Sequence, residues 1–222
     1  MEKKYLFFDI DGTLTDRSTG EIVPSAREAL TRLEENGHFV AIATGRAHYK
    51  ARKFTDANGF KNMVCCGGNG CVIDNELVEN IPLDKDGCIK IIHQAEELGY
   101  GWCVALDDTK DVYMTDDKFL RQVGKRKEPT RYIIDDMLEV EKADAIYKVY
   151  VAIPKEDEEK LTTKELVGHL RFEPEYLMFQ PDNKRGGIIK MMEHLNADIK
   201  DVVVFGDDYN DMDMFCPEWF SI

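Results

Sequence analysis

The sequence predicts an α/β protein: a parallel sheet core with helices on both faces, interrupted by an α+β insertion. Three observations predict it. The runs Tyr5–Phe8, Phe39–Ile42 and Val202–Phe205 are short, continuous and rich in Phe, Val and Ile, as strands buried on both faces are. Helix-patterned stretches separate the first runs, and a β-α-β-α-β order implies right-handed crossovers in a parallel sheet. From about Ile81 to Pro181 that alternation is lost, and it returns before Val202.

In chain order, Lys4–Phe8 reads as the first strand. Pro24-Ser25-Ala26-Arg27-Glu28 opens a helix, with Ser25 and Glu28 at capping-box spacing. Ala29, Leu30 and Leu33 give it an apolar face, and Gly37 suits its C-terminal end. His38–Ala43 is the next strand, Ala47–Asn58 a helix, and Met63–Cys66 a third strand. Val72-Ile73 and Leu77-Val78, around Asp74-Asn75-Glu76, form a hairpin.

In the insertion, Asp86–Leu98 has helical spacing and stops at Gly99. Trp102–Leu106 and Val112–Thr115 pair as strands. Ala145–Ile153 alternates and is rich in Val, Ile and Tyr, a strand signal. Lys155–Leu170 is a charged helix and Leu177–Phe179 a last strand. Then Gly187–Leu195 forms a helix with Ile188, Met191, Met192 and Leu195 inward, followed by the buried strand Val202–Phe205. The expected domains are a discontinuous core, 1–81 with 182–222, and an insertion, 82–181.

Composition narrows the function. The 222 residues suit one large domain or two small ones. A net charge of -14 argues against nucleic acid or an anionic membrane surface as partner, since both repel an acidic protein. It leaves a phosphate substrate open, because local cations or a metal reverse the field inside a cleft. No apolar run approaches the ~20 residues of a membrane span, and the four-residue run before Asp9 is too short for a secretory signal. The expected location is cytoplasmic. None of the six cysteines forms a C-x-x-C pair, and they read as reduced structural thiols.

Four separated stretches carry the chemistry. They are Asp9-Ile10-Asp11-Gly12-Thr13-Leu14, Ala43-Thr44-Gly45-Arg46, Asn183-Lys184-Arg185-Gly186-Gly187 and Gly206-Asp207-Asp208-Tyr209-Asn210-Asp211. Three of them begin where a buried parallel strand ends, the edge at which open α/β sheets bind ligands. Carboxylates, a hydroxyl and an ammonium gathered there are what a phosphate and a hard cation require. Taken singly, each has an ordinary alternative. Asp9 and Asp11 could cap a turn. Thr44 could be a helix N-cap. Arg46 and Lys184 could be solvated, and Asp208 and Asp213 could mark an acidic helix start. A calcium loop fails, because the sixth and twelfth positions from Asp9 are Leu14 and Gly20, and the sixth from Asp207 is Met212.

Jointly, in this order and at strand ends, the stretches resemble the haloacid dehalogenase superfamily of phosphohydrolases. The D-x-D-G-T-L start and the G-D-x-x-N-D near the end are its most specific marks. A-T-G-R after the second strand and Asn69-Gly70 after the third resemble its Cof-type branch, which carries a large α+β cap where residues 82–181 lie. The chain departs from the family in placing Arg185 between Lys184 and the glycines. It also stops at Phe220-Ser221-Ile222, where relatives continue with further strand and helix.

The resemblance implies a Rossmann-like core and a Mg²⁺-dependent phosphatase. By that resemblance Asp9 is the nucleophile that forms an aspartyl-phosphate, and Asp11 is the general acid and then base. Mg²⁺ is held by Asp9, Asp207 and the Asp11 carbonyl. Gly12, Thr44, Gly45, Arg46, Lys184 and Asn210 bind phosphate or substrate, while Asp211 and Asn69 support them, Asp211 as a candidate partner of Lys184. The implied substrate is a small phosphorylated metabolite such as a sugar phosphate, chosen by the cap, and a monomer is favoured. A phosphomutase using the same Asp9 and Asp11, or a phospho-metabolite-binding module without turnover, are the alternatives.

Overall fold

A computed structural model describes residues 2–126 and 130–222. The chain divides into two compact units, Met1–Asn80 with Asp182–Ile222, and Ile81–Pro181. Among the described residues no helix is long and apolar enough to cross a membrane.

In chain order the first unit begins with β1 (Tyr5–Phe8), α1 (Pro24–Glu35), β2 (Phe39–Ala43), α2 (His48–Asn58), β3 (Met63–Cys65), β4 (Gly70–Ile73) and β5 (Glu76–Asn80). The second holds α3 (Lys85–Glu97), β6 (Trp102–Ala105), β7 (Asp111–Met114), α4 (Lys118–Val123), β8 (Arg131–Ile134), β9 (Lys148–Val151), β10 (His169–Glu173) and β11 (Tyr176–Phe179). The chain returns to the first unit with α5 (Lys184–His194), β12 (Val202–Phe205) and β13 (Phe220–Ser221).

The first unit is a seven-stranded sheet in the order β13-β12-β1-β2-β3-β4-β5. The strands from β13 through β3 run parallel, and β4 and β5 are antiparallel additions. Alternation along β1 explains why both faces are covered. Leu6 and Phe8 point into one core with Leu30 of α1 and Ala51 of α2, whereas Phe7 points into the other with Ile188, Met191 and Met192 of α5. Asp74 and Asn75 turn the β4–β5 hairpin with φ of 51° and 68°, the left-handed pair that a tight primed turn needs.

The second unit is a six-stranded sheet, β10-β11-β9-β6-β7-β8. One face packs on α3, through Cys88, Ile91, Ile92 and Ala95 against Trp102, Val104, Val149 and Val151. On the other, Phe119 of α4 meets Cys103, Tyr150 and Met178. Pairing of β7 with β8 is parallel.

Several local expectations are corrected. Lys155–Leu170 is not an α-helix. It forms two short 3-10 turns, Lys155–Lys160 and Lys164–Leu166, and then enters β10 at His169. Its apolar residues Leu161, Leu166, Val167 and Leu170 do not recur regularly at three and four positions, so no continuous helical face exists to bury. The acidic run Glu156-Asp157-Glu158-Glu159 adds like-charge repulsion to any helix. Glu158 is instead held by Lys164 and Arg171.

The Ser25–Glu28 capping box is absent. Pro24 occupies the first turn and Val23 is the N-cap, so α1 starts through the fixed φ of proline rather than through a side-chain cap. The strand expected over Ala145–Ile153 is confined to Lys148–Val151. The last long helix begins at Lys184, three residues before Gly187, because the Asn183 side chain accepts the Gly186 N–H and caps it there.

Candidate active site

The register of the parallel strands gathers the chemistry. Phe8 is level with Phe205 on one side and Ile42 on the other, so Asp9, Asp207 and Thr44 leave neighbouring strands at one sheet edge. The backbone continues the pairing, with the Asp9 N–H donating to Phe205 O at 2.9 Å.

Lys184 lies at the start of α5 and is 1% exposed. Its ammonium donates to Asp9 Oδ1 at 2.7 Å and Asp211 Oδ1 at 2.5 Å. A buried lysine needs such partners, because an unpaired charge there is costly. Burial works against its charge, but Asp9 and Asp211 outweigh burial and hold its pKa above the usual lysine range. The other oxygen of Asp211 accepts the N–H groups of Asp207 and Asp208, at 3.1 and 3.2 Å. Asp211 therefore ties the ammonium to the loop that carries Asp207.

Asp9 is 5% exposed. Burial pushes its pKa up to about 6, against the pull of Lys184 and with a further push from Asp211. Its second oxygen accepts the Asp11 N–H at 2.9 Å. The turn after it closes through Leu14 N–H and Thr15 N–H on Ile10 O. The amides of Gly12 and Thr13 have no acceptor among the described residues, which leaves two donors at the strand end for an anion. Gly12 has φ +106°, and a Cβ on it would collide with Asp207 Oδ2, so only glycine fits.

Asp11 points elsewhere. Its carboxylate is gripped in a fork by Arg46, Nη2 to Oδ1 at 2.5 Å and Nε to Oδ2 at 3.1 Å. The Arg46 guanidinium lies over the Phe54 ring at 5.6 Å, and its backbone N–H reaches Thr44 Oγ1 at 3.2 Å. Arg46 thus holds Asp11. Thr44 is 2% exposed, and Gly45, beside it, is half-buried.

Oxygen atoms of Asp9, Asp207 and Asp211 lie within 4.8 Å of one another. Three carboxylates against one buried ammonium leave an excess of negative charge, and hard oxygen donors suit Mg²⁺. The residues present fit such an ion at Asp9 and Asp207. Asp211 is less available, since it is fully buried and three donors, Lys184 and two amides, share its oxygens. The Asp11 side chain is not part of this cluster.

Asn210 is half-buried between Asp208 and Asp211, and its side chain makes no hydrogen bond with the described residues. Asn69 ends the Cys66–Gly68 turn, its N–H on Cys66 O at 3.4 Å. That turn abuts α5: Asn183 N–H donates to Gly67 O at 2.9 Å, and a Cβ on Gly187 would stand 2.5 Å from Val64 Cγ1 and 2.7 Å from Gly68 Cα. The second glycine after Arg185 therefore lets the helix carrying Lys184 approach the sheet.

Two contributors escaped the sequence reading. Thr13 Oγ1 donates to Asp207 Oδ1 at 2.8 Å, and Arg17 Nη2 to Asp207 Oδ2 at 2.5 Å. Both contacts span 190 positions or more, and no local pattern signals them. None of the six cysteines is in a disulfide, and burial pushes the thiols of Cys71, Cys88 and Cys103 up to about 12, which keeps them protonated.

Comparison with known proteins places this chain. The profile of the haloacid dehalogenase-like hydrolases matches residues 6–217. YkrA of Bacillus subtilis (strain 168), which is named as a phosphatase, is 28% identical over 217 residues, 96% of this chain and 83% of that one. The pyridoxal phosphate phosphatase YbhA of Escherichia coli (strain K12) is 27% identical over 236 residues, 96% of this chain and 85% of that one. The solved structure of BT4131, a subclass IIB sugar phosphatase, superposes with a TM-score of 0.72 at 23% identity, covering 96% of this chain and 84% of its own. The core fold is built as these neighbours are, and with a family profile spanning both units the chain belongs to the haloacid dehalogenase-like hydrolases.

Proposed function

We propose that this protein is a Mg²⁺-dependent phosphatase that hydrolyses a small phosphorylated metabolite, a sugar phosphate by preference, through a phosphorylated Asp9. One observation carries the reading: a buried carboxylate at the end of β1 lies against an ammonium on one side and a second strand-end carboxylate on the other. Membership of the family and phosphatase-named relatives support the activity, and the neighbouring sugar phosphatase supports the substrate class.

In the first half-reaction an Asp9 oxygen attacks phosphorus and the ester P–O bond breaks. The leaving alkoxide takes a proton from Asp11, which for this step is protonated and released from its fork with Arg46, giving the alcohol and the aspartyl-phosphate. Lys184 uses two of its three N–H donors on Asp9 and Asp211, so one remains for a phosphoryl oxygen. Thr44 accepts the Arg46 N–H, so its own hydroxyl proton can donate to another. The open amides of Gly12 and Thr13 are donors for the same group. In the second half-reaction Asp11 takes a proton from water, the water oxygen bonds to phosphorus, and Asp9 is released with inorganic phosphate. A bound Mg²⁺ supplies positive charge against the developing phosphoryl charge and offsets repulsion between Asp9 and Asp207. In this reading Ile81–Pro181 selects the substrate. An acidic protein whose six cysteines form no disulfide further supports a cytoplasmic enzyme.

Turnover of sugar phosphates is expected to vanish in excess EDTA, to return with Mg²⁺, and to return poorly with Ca²⁺, which favours looser and higher coordination. Full activity in EDTA would overturn the metal requirement.

Asp11 is tested through the leaving group. An alkyl phosphate needs a proton on its leaving oxygen, whereas a nitrophenyl phosphate leaves as a stable phenolate. Asp11→Asn is expected to slow the burst from a sugar phosphate by roughly 10²–10⁴, the range for general acid catalysis. The burst from the nitrophenyl ester should fall much less, and dephosphorylation should slow equally for both. Equal loss in both bursts would move the acid role to another residue.

A further inference from the structure

We infer that Arg17 is a built-in counter-cation for Asp207, which a divalent metal must displace, so that this arginine sets how tightly the site takes up metal. The inference rests on the metal-dependent reading above.

The cluster is compensated at two ends in different ways. At the closed end Lys184 is 1% exposed and held by two carboxylates. At the open end the Arg17 side chain is 66% exposed, and its guanidinium reaches Asp207 Oδ2 at 2.5 Å and Asp208 Oδ2 at 3.7 Å. The first arrangement is permanent, because releasing Lys184 would strand buried charge. The second is reversible, because an exposed ion pair is weak and its partners rehydrate easily.

Local structure aims Arg17 at this carboxylate. Asp16 Oδ1 accepts the N–H groups of Ser18 and Thr19 at 2.8 and 3.2 Å, and Gly20 N–H closes on Asp16 O at 2.7 Å. Below it, Asp16 N–H reaches Glu21 O at 3.0 Å and Val23 N–H reaches Leu14 O at 3.1 Å, so Arg17 stands on a closed loop. A Cβ at Gly12 would also come within 2.8 Å of Arg17 Nε, so the same glycine admits both halves of the pair. Thr13 holds the other Asp207 oxygen at 2.8 Å. Asp207 is thereby kept in place by a cation that occupies one of its oxygens. A metal bound through that oxygen must compete with the guanidinium.

The test is metal affinity rather than turnover. Mg²⁺ binding by calorimetry and Mn²⁺ binding by electron paramagnetic resonance are measured on the full chain for wild type, Arg17→Gln and Arg17→Lys, at low and high salt. Arg17→Gln is expected to bind both ions about 1.5–5-fold more tightly at low salt, the scale of one exposed ion pair. That gain should shrink at high salt, and Arg17→Lys should stay near wild type. Wild-type binding with an Arg17→Gln affinity less than about 1.5-fold tighter would overturn the inference and leave the phosphatase reading intact, since so small a change is at the bottom of the range for an exposed pair. Weaker binding by Arg17→Gln would also overturn it, making Arg17 a positioning group for the metal site. Absence of metal binding by the wild type would overturn both.

Discussion

Asp9→Asn is expected to abolish hydrolysis, with kcat falling by at least ~10⁴, because a nucleophile acting with its partners is not replaced by the rest of the site. Burst formation and steady-state turnover should disappear together, whatever the leaving group. The fold should survive, since a neutral amide at position 9 would leave Lys184 paired with Asp211, one charge against one. The substitution also isolates a pH effect in the metal-free protein. The Asp9 pKa rises from 3.8 to about 6 on folding. Between those values the folded state binds more protons than the unfolded state, so stability is full at low pH and is lost as pH rises through about 4 to 6. The loss is at most about 3 kcal/mol at roughly 1.36 kcal/mol per pKa unit. Denaturant titrations in EDTA should show that slope in wild type and its absence in Asp9→Asn. Residual burst activity in the variant, or parallel pH profiles, would contradict the role given to Asp9.

Lys184→Met should produce the largest loss of stability. It leaves Asp9 and Asp211 buried side by side with their ammonium gone. Removing one partner from a buried ionic group costs about 3–5 kcal/mol, well above the value of a surface pair, because the desolvated charges remain. Turnover should be lost as well. A second substitution separates charge from packing. Adding Asp211→Asn to Lys184→Met should recover part of the stability, since one uncompensated carboxylate is removed while the amide oxygen can still accept from the 207–208 backbone. If the double variant were no more stable than Lys184→Met, the cost would lie in lost packing rather than in stranded charge. Chemical denaturation of the three proteins at neutral pH without metal decides this.

Gly12, Gly68 and Gly187 show why these stretches tolerate so little change. Each stands where another chain segment passes at contact distance: Asp207 over Gly12, Asn183 over Gly68, Val64 and Gly68 against Gly187. The departure from the family at Arg185 leaves this packing unaffected, because the Arg185 side chain turns outward to Glu218 and its backbone N–H caps onto Asp213 at 2.8 Å.

Local periodicity and strand-end chemistry made much of this protein readable from its residues. Continuous apolar runs specify β1, β2 and β12, since a strand covered on both faces has no polar side to show. Asp9, Thr44 and Asp207 lie at or just beyond the ends of those runs, so the strands carry them to one edge once the sheet is parallel. The short hairpin was legible because Asp74 and Asn75 tolerate positive φ. The helix expected over Lys155–Leu170 failed where charge was read without an apolar face to fold against. The pairings came from packing in three dimensions. Arg46 is bound to Asp11 across 35 positions, Lys184 to Asp9 across 175, and Arg17 to Asp207 across 190. An ion pair is chosen by distance and burial after the chain has folded, and sequence spacing carries no record of either. The residue types at this site, and through the family resemblance the Lys184–Asp211 pair, were therefore readable in advance, whereas the pairings of Lys184 with Asp9, Arg46 with Asp11 and Arg17 with Asp207 were settled by the packing of α5, the 206–211 loop and the turn at Arg17 against the sheet edge.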